Sequence, residues 1–437
     1  MGMTTAGVPV YDVVGIGFGP SNLSLAVALD DFEGAGSRPL EAAFFESQPS
    51  FGWHRNMLLP SSKMQVSFLK DLATFRNPVS RFSFVSYLHS NGRLAQFVNN
   101  CDFFPTRAEF HGYLEWVAAN FTDRVEYGSR ITSVTPVPGP GPGDPVERLR
   151  IHVSSAAGTR FVEARNIVMA TGLVPRMPDG VARDEHVWHS SEFLGKFRQS
   201  AASELKHVVV VGAGQSAAEI VRFCHDEAPN AKVTAVVPSY GYSIADNTPF
   251  ANEVFDPGAV DDYYQSEQYA KDKLWDYHRN TNYSVVDGDV IRSLYQRKYD
   301  DDVRGVDRLR FMELSRISAV KRDGDDTWVT VQSLATGRSD DLDVDVVVCA
   351  TGYEPMAVGR LLGDVDRFCR RDGRGRHLVG RDYRLATTEN LRAGIYVQGG
   401  TEHTHGLSSS LLSNLAVRSG EIVESVSRNR LAEPSDQ

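Results

Sequence analysis

Val10-Tyr11-Asp12-Val13-Val14-Gly15-Ile16-Gly17-Phe18-Gly19-Pro20-Ser21-Asn22-Leu23 is the stretch whose reading decides the fold. Val10 to Val14 is a β-prone run that ends at Gly15, and Ser21 to Leu29 (SNLSLAVAL) reads as a helix, so strand, glycine turn and helix follow in order. A second strand, Glu41 to Phe45 (EAAFF), ends at Glu46 and completes a β-α-β unit. A pyrophosphate seated on a helix N-terminus needs such a turn, because a Cβ there blocks approach to the backbone N–H groups. Gly15, Gly17 and Gly19 meet this need, Pro20 stands in place of the third glycine, and Glu46 stands where an acid accepts hydrogen bonds from ribose hydroxyls. A purely structural tight turn is the alternative for the glycines alone; the flanking strand, helix and acid favour dinucleotide binding.

The same grammar returns far downstream. His207 to Val211 (HVVVV) leads into Gly212-Ala213-Gly214-Gln215-Ser216-Ala217, then a helix, then Lys232 to Val237. Two dinucleotide units in one chain suggest a flavoprotein reduced by a nicotinamide cofactor, since each cofactor needs its own cradle. After the second strand of the downstream unit, Pro238 to Ser243 contains neither an acid nor an Arg; the missing acid leans toward NADPH, and Ser239 or Ser243 offers a hydroxyl to a phosphate. Two further strands run into Ala170-Thr171-Gly172 and Ala350-Thr351-Gly352 and read as exits at sheet edges.

Composition excludes several classes. The 437 residues are 41% hydrophobic and 23% charged, as in ordinary multi-domain globular proteins. A formal net charge of −10 removes the electrostatic footprint of a nucleic-acid binder. No apolar run is long enough to span a membrane, and the N-terminal segment has neither a basic nor an apolar targeting region, so a cytoplasmic location is expected. Cys101, Cys224, Cys349 and Cys369 are scattered singly, which argues against a disulfide framework and leaves buried, unreactive thiols as the expectation. His403 and His405 lack a third ligand at usable spacing, so no metal is expected. The Pro/Gly alternation from Pro136 to Pro145 reads as a hairpin loop.

Beyond the glycine turns, Phe51-Gly52-Trp53-His54, Met64 to Leu72 (MQVSFLKDL), Pro105-Thr106-Arg107, Pro249 to Phe255 (PFANEVF), Asn282-Tyr283-Ser284, Ala350 to Tyr353, and His405-Gly406-Leu407-Ser408 with Leu411-Leu412-Ser413 span most of the chain. With these blocks the sequence resembles the flavin-dependent N-hydroxylating monooxygenases that act on ornithine or lysine. The resemblance implies that NADPH reduces FAD, that the reduced flavin takes up O2 as a C4a-hydroperoxide, and that the distal oxygen passes to a side-chain amine. It implies Lys70 against the amino-acid carboxylate, Asn252 and Asn282 at the amino groups, and Ser410 in the block closing the pocket. Gln65 is implied beside the reactive edge of the flavin, Trp53, His54 and Met64 in the cofactor pocket, Arg107 near the nicotinamide, and Thr351, Gly352, Leu407 and Ser408 at the cofactors. Glu192 and Ser243 stand where relatives often carry basic residues, which bears on selection for the NADPH phosphate.

The expected fold is α/β with two Rossmann-like dinucleotide-binding domains. An FAD domain (1–190 and 345–437) is interrupted by an NADPH domain (195–330), with the substrate pocket between them near 65–70, 248–290 and 405–413. The expected reaction is N5-hydroxylation of L-ornithine for siderophore or hydroxamate biosynthesis, with L-lysine or a diamine as the alternative substrate. The resemblance also implies a homotetramer. A peroxide-forming flavin oxidoreductase is a rival, and a non-catalytic dinucleotide sensor is a rival of another class, though a sensor has no need of Lys70, Asn252 and Asn282.

Overall fold

Strand β1 (Val10–Ile16) is a nearly unbroken apolar run because it is sandwiched on both edges and both faces, the environment of a parallel strand in an α/β sheet. The computed structural model describes residues 8–32, 39–281, 283–324 and 326–431. Helix α1 (Pro20–Asp31) follows the glycine turn with Pro20 in its first turn, where the missing N–H costs no hydrogen bond. In chain order come β2 (Ala42–Phe45), α2 (Arg107–Ala118), β3 (Val125–Glu126), β4 (Arg130–Val137), β5 (Arg148–Ser155) and β6 (Gly158–Met169). They build a sheet of order β3-β2-β1-β6-β5-β4, parallel from β3 to β6 and antiparallel across β5 and β4. The Pro/Gly segment joins β4 to β5 as a hairpin loop, as read from the sequence.

After β7 (Leu173–Pro175) the chain enters a second sheet through β8 (Val187–His189) and β9 (His207–Val211), followed by α3 (Gln215–Glu227) and β10 (Lys232–Val236). An insertion carries β11 (Ser243–Ile244), α4 (Pro257–Gln265), β12 (Val285–Val286) and α5 (Gly288–Arg304) before β13 (Leu309–Met312). The antiparallel meander β14 (Ser315–Asp323), β15 (Asp326–Ser333) and β16 (Ser339–Val344) shows the in-out alternation of a one-faced sheet. Then follow β17 (Val346–Cys349), β18 (Tyr353–Pro355), β19 (Gly394–Val397) and α6 (Leu415–Leu431), which packs on α1. The second sheet has the order β13-β10-β9-β17-β8, all parallel, while β19 returns to β6 in the first sheet. Strands β8 and β17 therefore pair in the second sheet, although the sequence reading placed 187–189 and 346–349 in the first unit.

The two units repeat one construction. Gly17 has φ +84° and a Cβ there would lie 2.5 Å from Ala170 O; Gly212 has φ +142° and a Cβ there would lie 2.3 Å from Ala350 O. In parallel, Ala170 N donates to Ile16 O at 3.0 Å and Ala350 N to Val211 O at 2.8 Å. Each Ala-Thr-Gly exit thus closes against a glycine turn. They are not at sheet edges as expected: β6 and β17 are interior strands, and a strand buried on both sides gives no sequence sign of its place in the order. The segments beyond the exits pair with each other as β7 and β18, zipping together the two chain crossings between the units.

Gly17→Ala is expected to cost about 1–3 kcal/mol, because both the φ and the carbonyl contact oppose a Cβ. Gly373→Ala, where a Cβ meets nothing within 4 Å, is the matched control. Urea denaturation of both variants checks this, with a clear midpoint loss for the first and little change for the second.

Candidate active site

Helices α1 and α3 both begin at a glycine N-cap without a side-chain cap and with no acid in the first turn. Their N-terminal N–H groups and positive dipole ends are left for an anion. A Cβ on Gly19 would meet nothing within 4 Å, and one on Gly214 would meet only Ser284 Cα at 3.8 Å, so both turns are open above the helix. Gly15 is the packed glycine of its motif: a Cβ there would lie 2.2 Å from the Phe44 ring. Ser216 is half-buried in the first turn of α3.

Glu46 ends β2 as expected and is bound into the turn itself. Its Oε2 accepts from Phe18 N at 2.7 Å and its Oε1 from Gln48 N at 2.8 Å. The carboxylate thus holds the glycine loop against β2 and keeps further lone pairs for a ribose hydroxyl. Asn22 braces the turn from the helix side, its Nδ2 donating to Gly17 O at 2.7 Å and its Oδ1 accepting from Gln398 Nε2 at 3.0 Å. Gln398 Oε1 accepts from Arg418 Nε at 3.2 Å, and Arg418 also donates to Ser409 O. This buried chain ties the first cradle to the turn Leu407–Ser410, which includes the expected residues Leu407, Ser408 and Ser410. In the same segment Ser409 Oγ and both amide atoms of Asn414 are buried without a protein partner. Open glycine turns, uncapped helix ends and orphaned polar atoms together fit a bound dinucleotide.

The seam between the units is polar. Arg107, whose alternative reading is a surface arginine, is only 13% exposed and grips the buried Glu219 of α3 with Nη1–Oε2 2.9 Å and Nη2–Oε1 3.1 Å. Its Nη1 also donates to Met57 O at 2.7 Å. Gln215 Nε2 donates to Glu219 Oε1 and to Asp287 Oδ2, both at 3.0 Å, and Gln65 Nε2 donates to Asp287 Oδ1 at 3.2 Å. His54 adopts φ +48° between Trp53 (ring centroids 4.9 Å) and Tyr353 (6.0 Å). The ring touches solvent but lies deep among protein atoms; that desolvation, helped by the Arg107 charge, lowers its pKa to about 4 and keeps it neutral. Met64 is buried in the first core, and Trp53 packs against that core. Thr351 and Gly352 serve the crossing: Thr351 Oγ1 donates to Arg176 O, and Gly352 O accepts from Arg176 N at 3.0 Å and from His189 Nε2 at 3.0 Å.

At the other end of the seam, Lys70 is 17% exposed, 3.6 Å from Asp256 Oδ1 and 6.0 Å from the Phe75 ring centroid. Asn252 lies one turn before Asp256 and donates to Thr248 O at 3.2 Å. The turn Glu253–Phe255 packs on Leu407–Ser410, where Ser410 Oγ donates to Glu402. The segments carrying these residues therefore adjoin: Lys70 reaches Asp256, and the turn that follows Asn252 packs on the turn that ends at Ser410. Asn282 lies outside the described residues; its neighbour Tyr283 is exposed, with its ring 5.9 Å from that of Trp275. Ser239 Oγ donates to Gly241 O at 3.0 Å, Ser243 is exposed in β11, and Glu192 pairs with Lys196 at 3.2 Å.

A family signature described as L-lysine 6-monooxygenase/L-ornithine 5-monooxygenase matches residues 9–355. The chain belongs to this monooxygenase family. It is 40% identical over 409 residues to the L-ornithine N(5)-monooxygenase of Burkholderia cepacia, covering 91% of this chain and 90% of that one. Its fold matches the ornithine N-hydroxylase of Kutzneria sp. 744, a structure with reduced FAD, NADP+ and L-ornithine, at TM-score 0.93 and 61% identity over 97% of this chain and 100% of that one. The L-lysine 6-monooxygenase of Pseudomonas syringae matches at TM-score 0.83 and 31% identity, covering 96% and 99%. Fold class and family agree with the sequence reading.

Within this family framework, several residues were not singled out from the sequence: Asp256 beside Lys70, Asp287 beside Gln65, and the Asn22–Gln398–Arg418 chain. Asp287 sits between a two-residue strand and a helix, which carries no distinctive signal. Cys101 corrects the expectation of buried thiols, being exposed, whereas burial pushes Cys349 up to about 12. His405 is buried and stacked on Tyr383 (4.1 Å), and His403 Nε2 donates to His377 O at 3.0 Å, so both have structural partners.

Burial above all lowers His405 to about 4 from 6.5. Between those values the unfolded chain binds a proton that the folded one does not, so stability falls as pH drops from 6.5 toward 4, by roughly 3 kcal/mol over the window. Denaturation midpoints at a series of pH values check this, and His405→Gln flattens the dependence.

Proposed function

We propose that the chain is an L-ornithine N5-monooxygenase, with FAD held by the first unit and NADPH by the second. The observation that supports this reading is the contact of Lys70 with Asp256, beside the packed turns that neighbour Asn252 and carry Ser410, in a chain 61% identical to an ornithine N-hydroxylase. The balanced reaction takes L-ornithine, O2, NADPH and H+ to N5-hydroxy-L-ornithine, NADP+ and water. FAD bound here and reduced by NADPH would activate O2, one atom of which goes to the amine and the other to water.

The chain's own residues bind, orient and exclude water. Gly15, Gly17, Gly19, Pro20 and Glu46 hold the FAD pyrophosphate and ribose, and Gly212, Gly214, Gln215 and Ser216 hold those of NADPH. Trp53, His54 and Met64 wall the flavin, and Gln65 stands at its reactive edge. Lys70 exchanges its Asp256 contact for the substrate carboxylate, fixing the length of chain between carboxylate and reacting nitrogen. Asn252, with Asn282, binds the amino groups through amides, which hydrogen-bond without the negative charge that keeps an amine protonated. A neutral His54 acts in the same direction, adding no charge beside the flavin. One methylene separates ornithine from lysine, a difference worth about 1–3 kcal/mol in a fitted pocket. The greater likeness to the ornithine enzymes supports ornithine.

A cytoplasmic homotetramer is the proposed setting, feeding hydroxamate or siderophore assembly. Among the described residues no helix is long and apolar enough to cross a membrane. Tyr295, Tyr299 and Val303 are exposed at four-residue spacing along one face of α5, a stripe that supports self-association. Light scattering of Tyr299→Glu tests the assembly, and a smaller particle than wild type is expected.

The purified protein is expected to bind FAD and to form hydroxylamine in step with NADPH oxidation when given ornithine, much less with lysine or putrescine. Hydrogen peroxide as the only product with all three amines would refute the assignment. Lys70→Ala is expected to raise the KM for ornithine strongly while flavin reduction by NADPH stays near normal; equal loss of both steps would make Lys70 structural.

A further inference from the structure

Asp287 follows β12 and occupies the N-cap of α5, yet its side chain makes no capping hydrogen bond. Asp is a favoured N-cap, and forgoing that bond sacrifices about 1 kcal/mol. The carboxylate instead bridges two glutamines from different units: Oδ1 accepts from Gln65 Nε2 at 3.2 Å and Oδ2 from Gln215 Nε2 at 3.0 Å. The Asp287 backbone N–H donates to Gln215 Oε1 at 2.9 Å, so that amide is held in one orientation from both sides. A carboxylate only accepts, and Gln65 must therefore present its NH2 to Asp287 and its carbonyl elsewhere. Gln215 passes the constraint on to Glu219, and Glu219 to Arg107, which returns to the first unit.

We propose that Asp287 is a positioning residue for oxygen transfer: it fixes the orientation of Gln65 and couples it to the glycine turn of the NADPH unit. This rests on the assignment of Gln65 to the flavin edge. The groups facing Asp287 are Glu219 from α3, Arg107 from α2, Asp289 on its own helix, and Lys63, which is engaged by Asp102 at 2.6 Å. Arg107 is spent on Glu219, and no ion pair to Asp287 is found among the described residues. Burial, with Glu219 and Asp289 adding to it, raises the Asp287 pKa against the opposing effects of Gln65 and Arg107. A protonated Asp287 would turn one acceptor into a donor and release one glutamine. The coupling of NADPH oxidation to hydroxylation should therefore fall as pH drops through that raised value.

The test uses the FAD-loaded enzyme with ornithine and measures hydroxylamine and hydrogen peroxide per NADPH, alongside the rate of flavin reduction, across pH. Asp287→Asn accepts through only one oxygen, and Asp287→Ser offers α5 a capping hydroxyl but does not bridge. Both are expected to lose coupling several-fold, with flavin reduction falling much less, and to lose the acid-side step in coupling. Wild-type coupling and pH profile in both variants would overturn the proposal, as would equal loss of reduction and coupling. A wild type that yields only peroxide would overturn the monooxygenase reading itself, and this proposal with it.

Discussion

A peptide carbonyl that leaves no space for a Cβ governs each half of this molecule. Ala170 O stands over Gly17 and Ala350 O over Gly212, and the strands carrying those carbonyls, β6 and β17, are the parallel neighbours of β1 and β9. The contact sets how closely the turn approaches the next strand and so where the following helix begins. Both helices then start uncapped and with no acid in their own first turns, and the shape of a dinucleotide cradle results from backbone geometry.

Side chains join the cradles. Arg107 and Glu219 form a strongly buried pair across the seam, and breaking such a pair leaves an uncompensated charge at a cost of about 3–5 kcal/mol. The pair sits at one end of a hydrogen-bonded line running through Gln215 and Asp287 to Gln65. Met57 and Leu59 of the first unit pack into the core of the second, so the polar line has an apolar footing. The units are thus held in a defined relation where the two cofactors and the amine must meet.

Local rules were readable in the sequence and spatial ones were not. Gly15 to Pro20 and Gly212 to Ala217 announce themselves because the need for glycine is confined to a few adjacent residues, and the folded strands and helices fall where those turns put them. The resemblance singled out Lys70, but its partner Asp256 lies far away in the chain and no spacing rule finds it. The same holds for Asp287, whose meaning depends on residues 65 and 215 arriving from other elements. The place of β6 and β17 in their sheets was misjudged for a related reason: strand order is a tertiary property that an all-apolar run does not encode. Arg107, placed near the nicotinamide by the resemblance, reads as a surface residue when taken alone, and only Glu219 supplies the charge that permits its burial.

The pairing of β7 with β18 alters how the second unit relates to the chain that contains it. The first unit is interrupted between Pro175 and Tyr353, yet those residues are register partners on adjacent strands. The entropy of closing so long an excursion grows only slowly with its length. For the first unit the interruption therefore behaves like a two-stranded clasp. The two ends of the interruption are thus held side by side by a short antiparallel pairing as well as by the chain that runs between them.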